Sequence, residues 1–208
     1  MLHFQDELVN AVRFLHKQGW AVATSSNYSF RESSKTEFYI SESGVDKGDF
    51  NRHHLIYVNA EGVPCDEPHR RVSAETDLHC TIYNLFPNAH CVLHTHSVLG
   101  TILSQFYRYD DEIVFKNYEL LKAFEDVNTH DTAIKIPIFM NTQNIPDLSA
   151  ELQNHIKKQA DMRAFLIAGH GLYTWATTIA AAKRQVEAIE FLLECEYKKL
   201  ILHLDVRA

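Results

Sequence analysis

The sequence has few of the features that mark secreted, membrane-bound or thiolate-dependent proteins. Its four cysteines are Cys65, Cys80, Cys91 and Cys195, and no two of them have Cys-x-x-Cys spacing. This pattern predicts reduced thiols and argues against a metal site built from cysteine. The sequence has no apolar run long enough to span a bilayer. Its first residues lack the basic start and apolar stretch of a signal peptide. We therefore expect a cytoplasmic protein with no membrane partner.

Positive charge is also scarce. The chain carries 20 Lys and Arg against 27 Asp and Glu, which gives a formal net charge of -7 at pH 7. A general nucleic-acid binder needs a basic stripe, so we expect no nucleic-acid partner. The hydrophobic content of 46% is ordinary for a globular protein with a real core. Because the sequence shows no internal repeat, low-complexity stretch or linker, it predicts one domain over residues 1–208.

Short strand patterns and helical patterns follow one another without regular βαβ alternation. This order predicts an α/β fold in which helices cover a sheet with substantial antiparallel content. Two local predictions bear on the functional site. Residues 21–24 (AVAT) are predicted to form a strand, and Ser73 is predicted to be the N-cap of a helix whose buried stripe includes Leu78 and Ile82.

Three histidines stand at the ends of apolar strand patterns. His94 and His96 follow residues 91–93 and share one face of a strand, because side chains alternate along a strand. His170 follows the apolar residues 164–168 and lies between two glycines, which allow close backbone approach. Three neutral imidazoles with an open fourth position form a common catalytic zinc site. The alternative is that they are core residues, since the chain contains 13 histidines.

Five segments together resemble the class II aldolase and sugar-phosphate epimerase family. They are residues 25–29 (SSNYS), 41–44 (SESG), 73–75 (SAE), 94–97 (HTHS) and 169–171 (GHG). The resemblance covers nearly the whole chain. It implies a three-layer α/β/α fold, a Zn²⁺ ion held by His94, His96 and His170, and a small sugar-phosphate substrate.

Within that family, three stretches are most similar to a dehydratase of methionine salvage. They are residues 73–79, 92–97 and 118–119. The resemblance implies that the enzyme removes water from a methylthio-substituted pentulose 1-phosphate. It also implies that Glu119 is the catalytic acid/base and that Glu75 assists. We expect the apolar neighbours of Glu119, which include Leu120, Leu121 and Phe124, to bury its carboxyl group and raise its pKa.

Sequence pattern alone leaves other roles open for both glutamates. Glu75 would complement the positive N-terminus of a helix, and Glu119 would be a solvated residue on an amphipathic helix.

The resemblance also implies a phosphate pocket of small polar residues. These would be Asn27, Ser43, Gly44 and Ser73, which are equally the ordinary residues of turns and caps. The sequence departs from the family pattern at two positions. Ser26 replaces the glycine that usually precedes the asparagine, and Ala74 replaces a serine of the pocket. One hydrogen bond to phosphate is then missing or comes from another group.

Three alternatives to dehydration remain open from the sequence. Retro-aldol cleavage of a sugar 1-phosphate and C4 epimerisation of a pentulose 5-phosphate need the same metal histidines. A non-catalytic interaction domain on the same fold would not need them. The resemblance further implies a homo-oligomer, specifically a tetramer, with sites near subunit interfaces.

Overall fold

The described part of the chain forms eight strands, five α-helices and two short 3₁₀ helices. A computed structural model describes residues 2–157, 159 and 161–205. The elements in chain order are α1 (Leu2–Lys17), β1 (Tyr28–Phe30), β2 (Phe38–Ser41), a 3₁₀ helix (Arg52–His54), β3 (Leu55–Val58), α2 (Thr76–Leu85), β4 (Cys91–Thr95), α3 (Val98–Phe106), β5 (Glu112–Lys116), a 3₁₀ helix (Glu119–Ala123), β6 (Ala133–Phe139), α4 (Ile145–Ile156), β7 (Ala164–Ile167), β8 (Gly171–Ala176) and α5 (Ile179–Asp205).

The strands form one sheet in the order β3-β2-β1-β4-β8-β7-β6-β5. Among these pairs only β6 and β7 run parallel, and the others are antiparallel. The predicted mainly antiparallel sheet is therefore confirmed. The central strands β4 and β8 are buried along their whole length. Strands that are covered on both faces carry apolar residues at nearly every position, and both of these strands show such runs.

Helices cover both faces of the sheet. Helices α1, α3 and α5 pack on the face that carries Cys91 and Leu93 of β4, whereas α2 and α4 pack on the face that carries Val92. Successive side chains of β4 point to opposite faces of the sheet, so the core is divided into two layers. The three-layer α/β/α fold is confirmed. In the part of the chain that the structure describes, no helix is both long and apolar enough to cross a membrane.

Two local predictions were wrong, and both concern loops near the histidines. Residues 21–24 form no strand, because Ala23 and Thr24 have positive φ values of 54° and 59° that turn the chain out of extended geometry. Helix α2 begins at Thr76 with Glu75 in the N-cap position, so Ser73 lies two residues before the cap. The Ser73 hydroxyl instead accepts a hydrogen bond from the Glu75 backbone N–H at 3.2 Å.

Candidate metal centre

The three predicted histidines meet at the end of β4. His94 lies in β4, His96 follows it, and His170 lies in the tight turn between β7 and β8. One ring nitrogen from each histidine lies within 4.8 Å of the corresponding nitrogens of the other two. The Nε2 atoms of His94 and His96 are 2.7 Å apart. Antiparallel pairing of β4 with β8 brings residue 170 beside residues 94 and 96 although the chain between them is long.

The protonation state of these rings suits metal binding. His94 Nδ1–H donates to the Leu172 carbonyl at 2.9 Å, which leaves the Nε2 lone pair directed into the cluster. Burial, followed by the neighbouring His96 and His170, holds the pKa of His94 well below its usual range. Burial and His170 also lower the pKa of His96 to about 4. Both imidazoles are therefore neutral near pH 7, as ligands must be.

The cluster fits a tetrahedral zinc ion. Zinc binds imidazole nitrogen at about 2.0–2.1 Å, which places ligand nitrogens about 3.3 Å apart. The Nε2 atoms of His94 and His96 are closer than that separation and all three ligand nitrogens lie within 4.8 Å of one another, so modest ring shifts would accommodate the ion. His94 is also held from behind by Tyr173, whose ring stacks on the imidazole at a centroid distance of 4.0 Å. The cluster is a site that could hold a metal with an open position.

Glu75 joins the histidines from the N-cap of α2. Its Oε1 lies 3.1 Å from His170 Nε2, and its Oε2 lies 3.6 Å from His94 Nε2. The Asn27 amide donates to Oε2 at 2.6 Å. The carboxylate is thus directed toward the point where the ring nitrogens converge. In this position it could act on a substrate or on a metal, in addition to the helix-capping role that its sequence position suggested.

A loop over residues 20–27 closes one side of the centre. The His96 backbone N–H donates to the Trp20 carbonyl at 2.8 Å, which ties this loop to the end of β4. Three of its non-glycine residues have positive φ, namely Ala23 (54°), Thr24 (59°) and Ser26 (70°). Each such conformation costs on the order of 1 kcal/mol and persists where the surroundings impose it, which is common at functional sites. Ser26 adopts a left-handed conformation that glycine would adopt without strain.

Sequence reasoning missed Lys47, which lies buried beneath this loop. Its ammonium donates to the Thr24 carbonyl at 3.3 Å and to the Val45 carbonyl at 2.9 Å, so it joins the two loops that flank the centre. Burial lowers its pKa. Lys47 is close enough to His96 to lower the pKa of that imidazole as well. Its charged neighbours in the sequence, residues 46–49 (DKGD), are typical of an exposed turn and gave no signal of burial.

The four residues that are predicted to bind phosphate line one polar cavity beside the histidines. Asn27, Ser43, Gly44 and Ser73 surround about 240 Å³ whose wall also includes His96 and His170. Gly44 has a φ of +78°, a conformation that glycine adopts without strain. The structure therefore brings together residues from three separate loops. Whether they hold phosphate remains a prediction.

A second cavity, which is more apolar, shares the same two histidines as part of its wall. It measures about 550 Å³ and is walled by Val22, Val98 and Ile102 in addition to His96 and His170. These three aliphatic side chains are 52%, 71% and 45% exposed. The candidate metal centre thus borders both a polar cavity and a partly apolar cavity. Sequence reasoning did not find the second cavity, because its aliphatic residues belong to a loop and a helix far apart in the chain.

Glu119 is not brought to this centre within one chain. It begins the second 3₁₀ helix, its side chain is 74% exposed, and it pairs with Lys122 and His130. Hydrogen bonding to Lys122 lowers the pKa of Glu119. The expected burial and raised pKa were therefore wrong for the single chain: of its apolar neighbours, Leu121 and Phe124 turn inward to the core. The catalytic role of Glu119 remains a prediction.

Gly171 supports the histidine cluster through close backbone approach. A Cβ atom added at Gly171 would lie 2.1 Å from the Thr95 carbonyl oxygen and 3.2 Å from ring atoms of both His94 and His96. We expect Gly171→Ala to separate β8 from β4 and to reduce bound metal at least severalfold. Metal analysis and thermal unfolding of the purified variant would test this expectation. Gly19→Ala is the control for glycine replacement without a steric clash, because an added Cβ at Gly19 has no atom within 4 Å and its φ of +79° adds backbone strain that Gly171, which lacks positive φ, does not have. Undiminished metal content in Gly171→Ala would contradict the expectation.

Comparison with known proteins agrees with this arrangement. The family model described as the class II aldolase and adducin N-terminal domain matches residues 6–197. The chain belongs to this family. The resemblance that the sequence segments indicated is therefore confirmed.

Two relatives and one solved structure illustrate the similarity. The chain is 45% identical to methylthioribulose-1-phosphate dehydratase of Hahella chejuensis over 194 residues, which cover 93% of this chain and 92% of the relative. It is 42% identical to the protein of the same name from a Picosynechococcus species over 197 residues, which cover 94% and 92%. L-fuculose-1-phosphate aldolase from Thermus thermophilus matches the fold with a TM-score of 0.75 at 19% identity and covers 97% of each chain.

Proposed function

We propose that this class II aldolase family member is a zinc-dependent dehydratase of 5-methylthioribulose 1-phosphate. The observation that carries the proposal is the convergence of His94, His96 and His170 with Glu75, in a chain about 45% identical to dehydratases of that substrate. The product would be 2,3-diketo-5-methylthiopentyl 1-phosphate, an intermediate of methionine salvage. The adducin-like alternative, a non-catalytic domain, gains no support from a complete histidine cluster.

The three histidines would hold the zinc ion through neutral ring nitrogens. When bound, zinc would supply a Lewis acid that polarises the substrate's ketose oxygen and stabilises negative charge as it develops. His94 is oriented for this task by the Leu172 carbonyl and by the ring of Tyr173. Such outer contacts hold ligand rings in place before the ion arrives.

Dehydration requires one proton to leave C3 and one hydroxyl group to leave C4. A carboxylate removes the C3 proton and returns it to the departing C4 hydroxyl as water forms, and the resulting enol becomes the C3 ketone. We assign this shuttle to Glu119 and an orienting role to Glu75. Because Glu119 lies exposed and outside the centre of its own chain, it would serve a neighbouring subunit. Glu75, whose Oε1 lies 3.1 Å from His170 Nε2, would reach the substrate from within the chain.

An exposed apolar row supports assembly into a homo-oligomer. Val98, Ile102 and Phe106 follow one another at four-residue spacing on α3 and are 71%, 45% and 61% exposed, and Tyr109 beyond the helix is 78% exposed. A contiguous apolar surface of this kind is typical of an interface. We propose that a second copy of the chain covers the outer end of this row, Phe106 and Tyr109, and family resemblance favours a tetramer.

The two cavities suit the two ends of the proposed substrate. The polar cavity would take the C1 phosphate, with hydroxyl and backbone N–H donors from Ser43, Gly44 and Ser73. The buried Lys47 adds positive charge beneath it. The apolar cavity, which shares His96 and His170 with the polar cavity, would take the C5 methylthio group. This placement leaves C2 to C4 of the pentulose at the metal centre.

The methylthio assignment predicts a change in substrate selectivity. Ile102→Asn should lower kcat/KM for methylthioribulose 1-phosphate by about tenfold, since burial of two apolar groups contributes about 1.5 kcal/mol. The same variant should change kcat/KM for ribulose 1-phosphate, which has a hydroxyl at C5, by much less. Steady-state kinetics on both substrates would measure the ratio. Equal losses of kcat/KM on the two substrates would show that Ile102 does not contact the methylthio group.

The proposed function is tested by incubating the zinc-loaded protein with three substrates. We expect consumption of methylthioribulose 1-phosphate with release of one water and formation of the diketone. Fuculose 1-phosphate tests retro-aldol cleavage, and a pentulose 5-phosphate tests epimerisation. If the protein turned over either of these two substrates faster than methylthioribulose 1-phosphate, the proposed function would be the corresponding reaction, aldol cleavage or epimerisation, instead of dehydration.

A further inference from the structure

A row of buried polar side chains runs from Glu75 into the layer between α2 and the sheet. Glu75, His79 and Tyr83 recur at every fourth position along the α2 segment, and Asn27 and Ser29 alternate at the start of β1. Four helical residues advance about 6 Å and two strand residues about 6.8 Å. Because these repeats nearly match, the helix row and the strand row interdigitate.

Four short hydrogen bonds connect the row. Tyr83 Oη lies 2.8 Å from Ser29 Oγ, and Ser29 Oγ lies 2.7 Å from His79 Nδ1. His79 Nε2 lies 2.5 Å from Asn27 Oδ1, and Asn27 Nδ2 lies 2.6 Å from Glu75 Oε2. Ser29 and His79 are fully buried, and Asn27 and Tyr83 are 4% and 3% exposed. The sequence analysis did not predict that these four hydrogen bonds form one row, although the spacing of the residues is visible in the sequence.

The carboxylate sets the direction of every bond in the row. An ionised carboxylate only accepts, so the Asn27 amide donates to Glu75 and its Oδ1 accepts from His79. His79 must then carry its proton on Nε2, which leaves Nδ1 to accept from the Ser29 hydroxyl. Ser29 Oγ in turn accepts from Tyr83. Burial lowers the pKa of His79 to about 3, so the ring is neutral and has one donor and one acceptor.

We propose that these residues form a hydrogen-bond relay that positions the Glu75 carboxylate at the metal centre, with His79 as the central positioning residue. The inference rests on the proposed function, because it gives Glu75 an orienting role in that reaction. The relay binds Oε2 through Asn27 and leaves Oε1 directed toward His170. Aligned hydrogen bonds in a buried row also strengthen one another.

Loss of the relay would release both Asn27 and Glu75. Without a donor at position 79, Asn27 Oδ1 becomes a buried acceptor without a partner. Rotation of the Asn27 amide away from its present orientation then becomes energetically favourable. Glu75 Oε2 then loses its donor and the carboxylate turns toward the nearby ligand nitrogens. A displacement of about 1 Å in a group near the reacting atoms reduces turnover by up to about a hundredfold.

The test compares His79→Leu with His79→Gln in zinc-loaded protein. Leucine removes both ring nitrogens at similar volume, whereas glutamine places an N–H donor near the position of Nε2. We expect His79→Leu to lower kcat by about ten- to a hundredfold, with KM for methylthioribulose 1-phosphate changed by less than about threefold and zinc content unchanged. We expect His79→Gln to recover most of kcat. Equal losses of kcat in both variants would assign His79 a purely structural role and overturn the proposal.

Cobalt substitution provides a readout that does not depend on turnover. Visible absorption of bound Co²⁺ reports the number and kind of groups around the ion. We expect a changed spectrum in His79→Leu and a wild-type spectrum in His79→Gln. If the wild-type protein fails to dehydrate the substrate, the proposed function fails while the cobalt comparison still tests the relay. An unchanged cobalt spectrum in folded His79→Leu would overturn the proposed relay.

Ser29→Ala covers the case in which His79→Leu does not fold. It removes one hydroxyl and leaves His79 Nδ1 without its donor, so the ring is no longer held in the tautomer that donates to Asn27. We expect a smaller decrease in kcat, about three- to tenfold, together with a cobalt spectrum changed in the same sense as that of His79→Leu. Wild-type kcat and spectrum in Ser29→Ala would contradict the relay.

Discussion

Replacement of His96 by alanine is expected to abolish metal binding and to lower turnover by about a thousandfold or more. His96 supplies one of three ring nitrogens that converge within 4.8 Å. Two remaining imidazoles bind zinc weakly, and a Lewis acid contributes several kcal/mol to the stabilisation of developing charge. Measurement of zinc per chain and of kcat/KM on methylthioribulose 1-phosphate would test both parts of this expectation.

His90 provides a matched control for the His96 variant. It precedes β4 by one residue, has the same strand parity as His94 and His96, and its Nδ1 lies 3.1 Å from the Thr177 carbonyl. His90→Ala should retain full zinc content and turnover. If His96→Ala retained one zinc ion per chain and near-normal kcat/KM, the histidine cluster would not be the metal centre.

Glu119→Gln is expected to bind zinc and substrate normally and to lose turnover by about a hundred- to ten-thousandfold. This range is the usual contribution of general acid/base catalysis. Zinc content should be unchanged because Glu119 lies outside the histidine cluster of its own chain. Zinc analysis, substrate binding by calorimetry and kcat would test the three statements separately. Near-normal kcat would remove Glu119 from the mechanism and leave Glu75 as the acid/base.

Mixed oligomers would show whether Glu119 acts across a subunit interface. Glu119→Gln and His96→Ala are each expected to be inactive alone. When the two chains are unfolded together and refolded, some sites would combine the intact histidines of one chain with the intact Glu119 of another. Recovery of a fraction of wild-type kcat would support shared sites. Complete absence of recovery in confirmed mixed oligomers would contradict the assignment of Glu119 to a neighbouring subunit.

Strand parity and position predicted most of the metal centre. His94 and His96 were expected to share a face, and His170 was expected at the end of an apolar strand pattern, between two glycines that allow close backbone approach. The structure brings all three together. The prediction succeeded because the side-chain alternation of a strand is local, so two residues two positions apart reveal their relation without knowledge of the fold. The family segments then placed His170 beside them.

The surroundings of the two glutamates could not be predicted in the same way. The apolar residues after Glu119 were expected to cover it, but the turn of the 3₁₀ helix directs Leu121 into the core and leaves Glu119 exposed. Glu75 was expected to complement a helix terminus, and it also lies 3.1 Å from His170 Nε2. Direction of a side chain at a helix end depends on the packing of the whole element, which composition does not show.

The amino-acid sequence by itself determined the family, the mainly antiparallel α/β/α fold and the histidines that could hold a metal, because these depend on local periodicity and on ordered motifs. Only the tertiary structure decided that Lys47 is buried beneath the site, that a polar and an apolar cavity flank the histidines, and that His79 connects to Glu75 through Asn27. These relations join residues distant in the chain. They arise when strand pairing and helix packing bring the residues together, and no local pattern encodes such contacts.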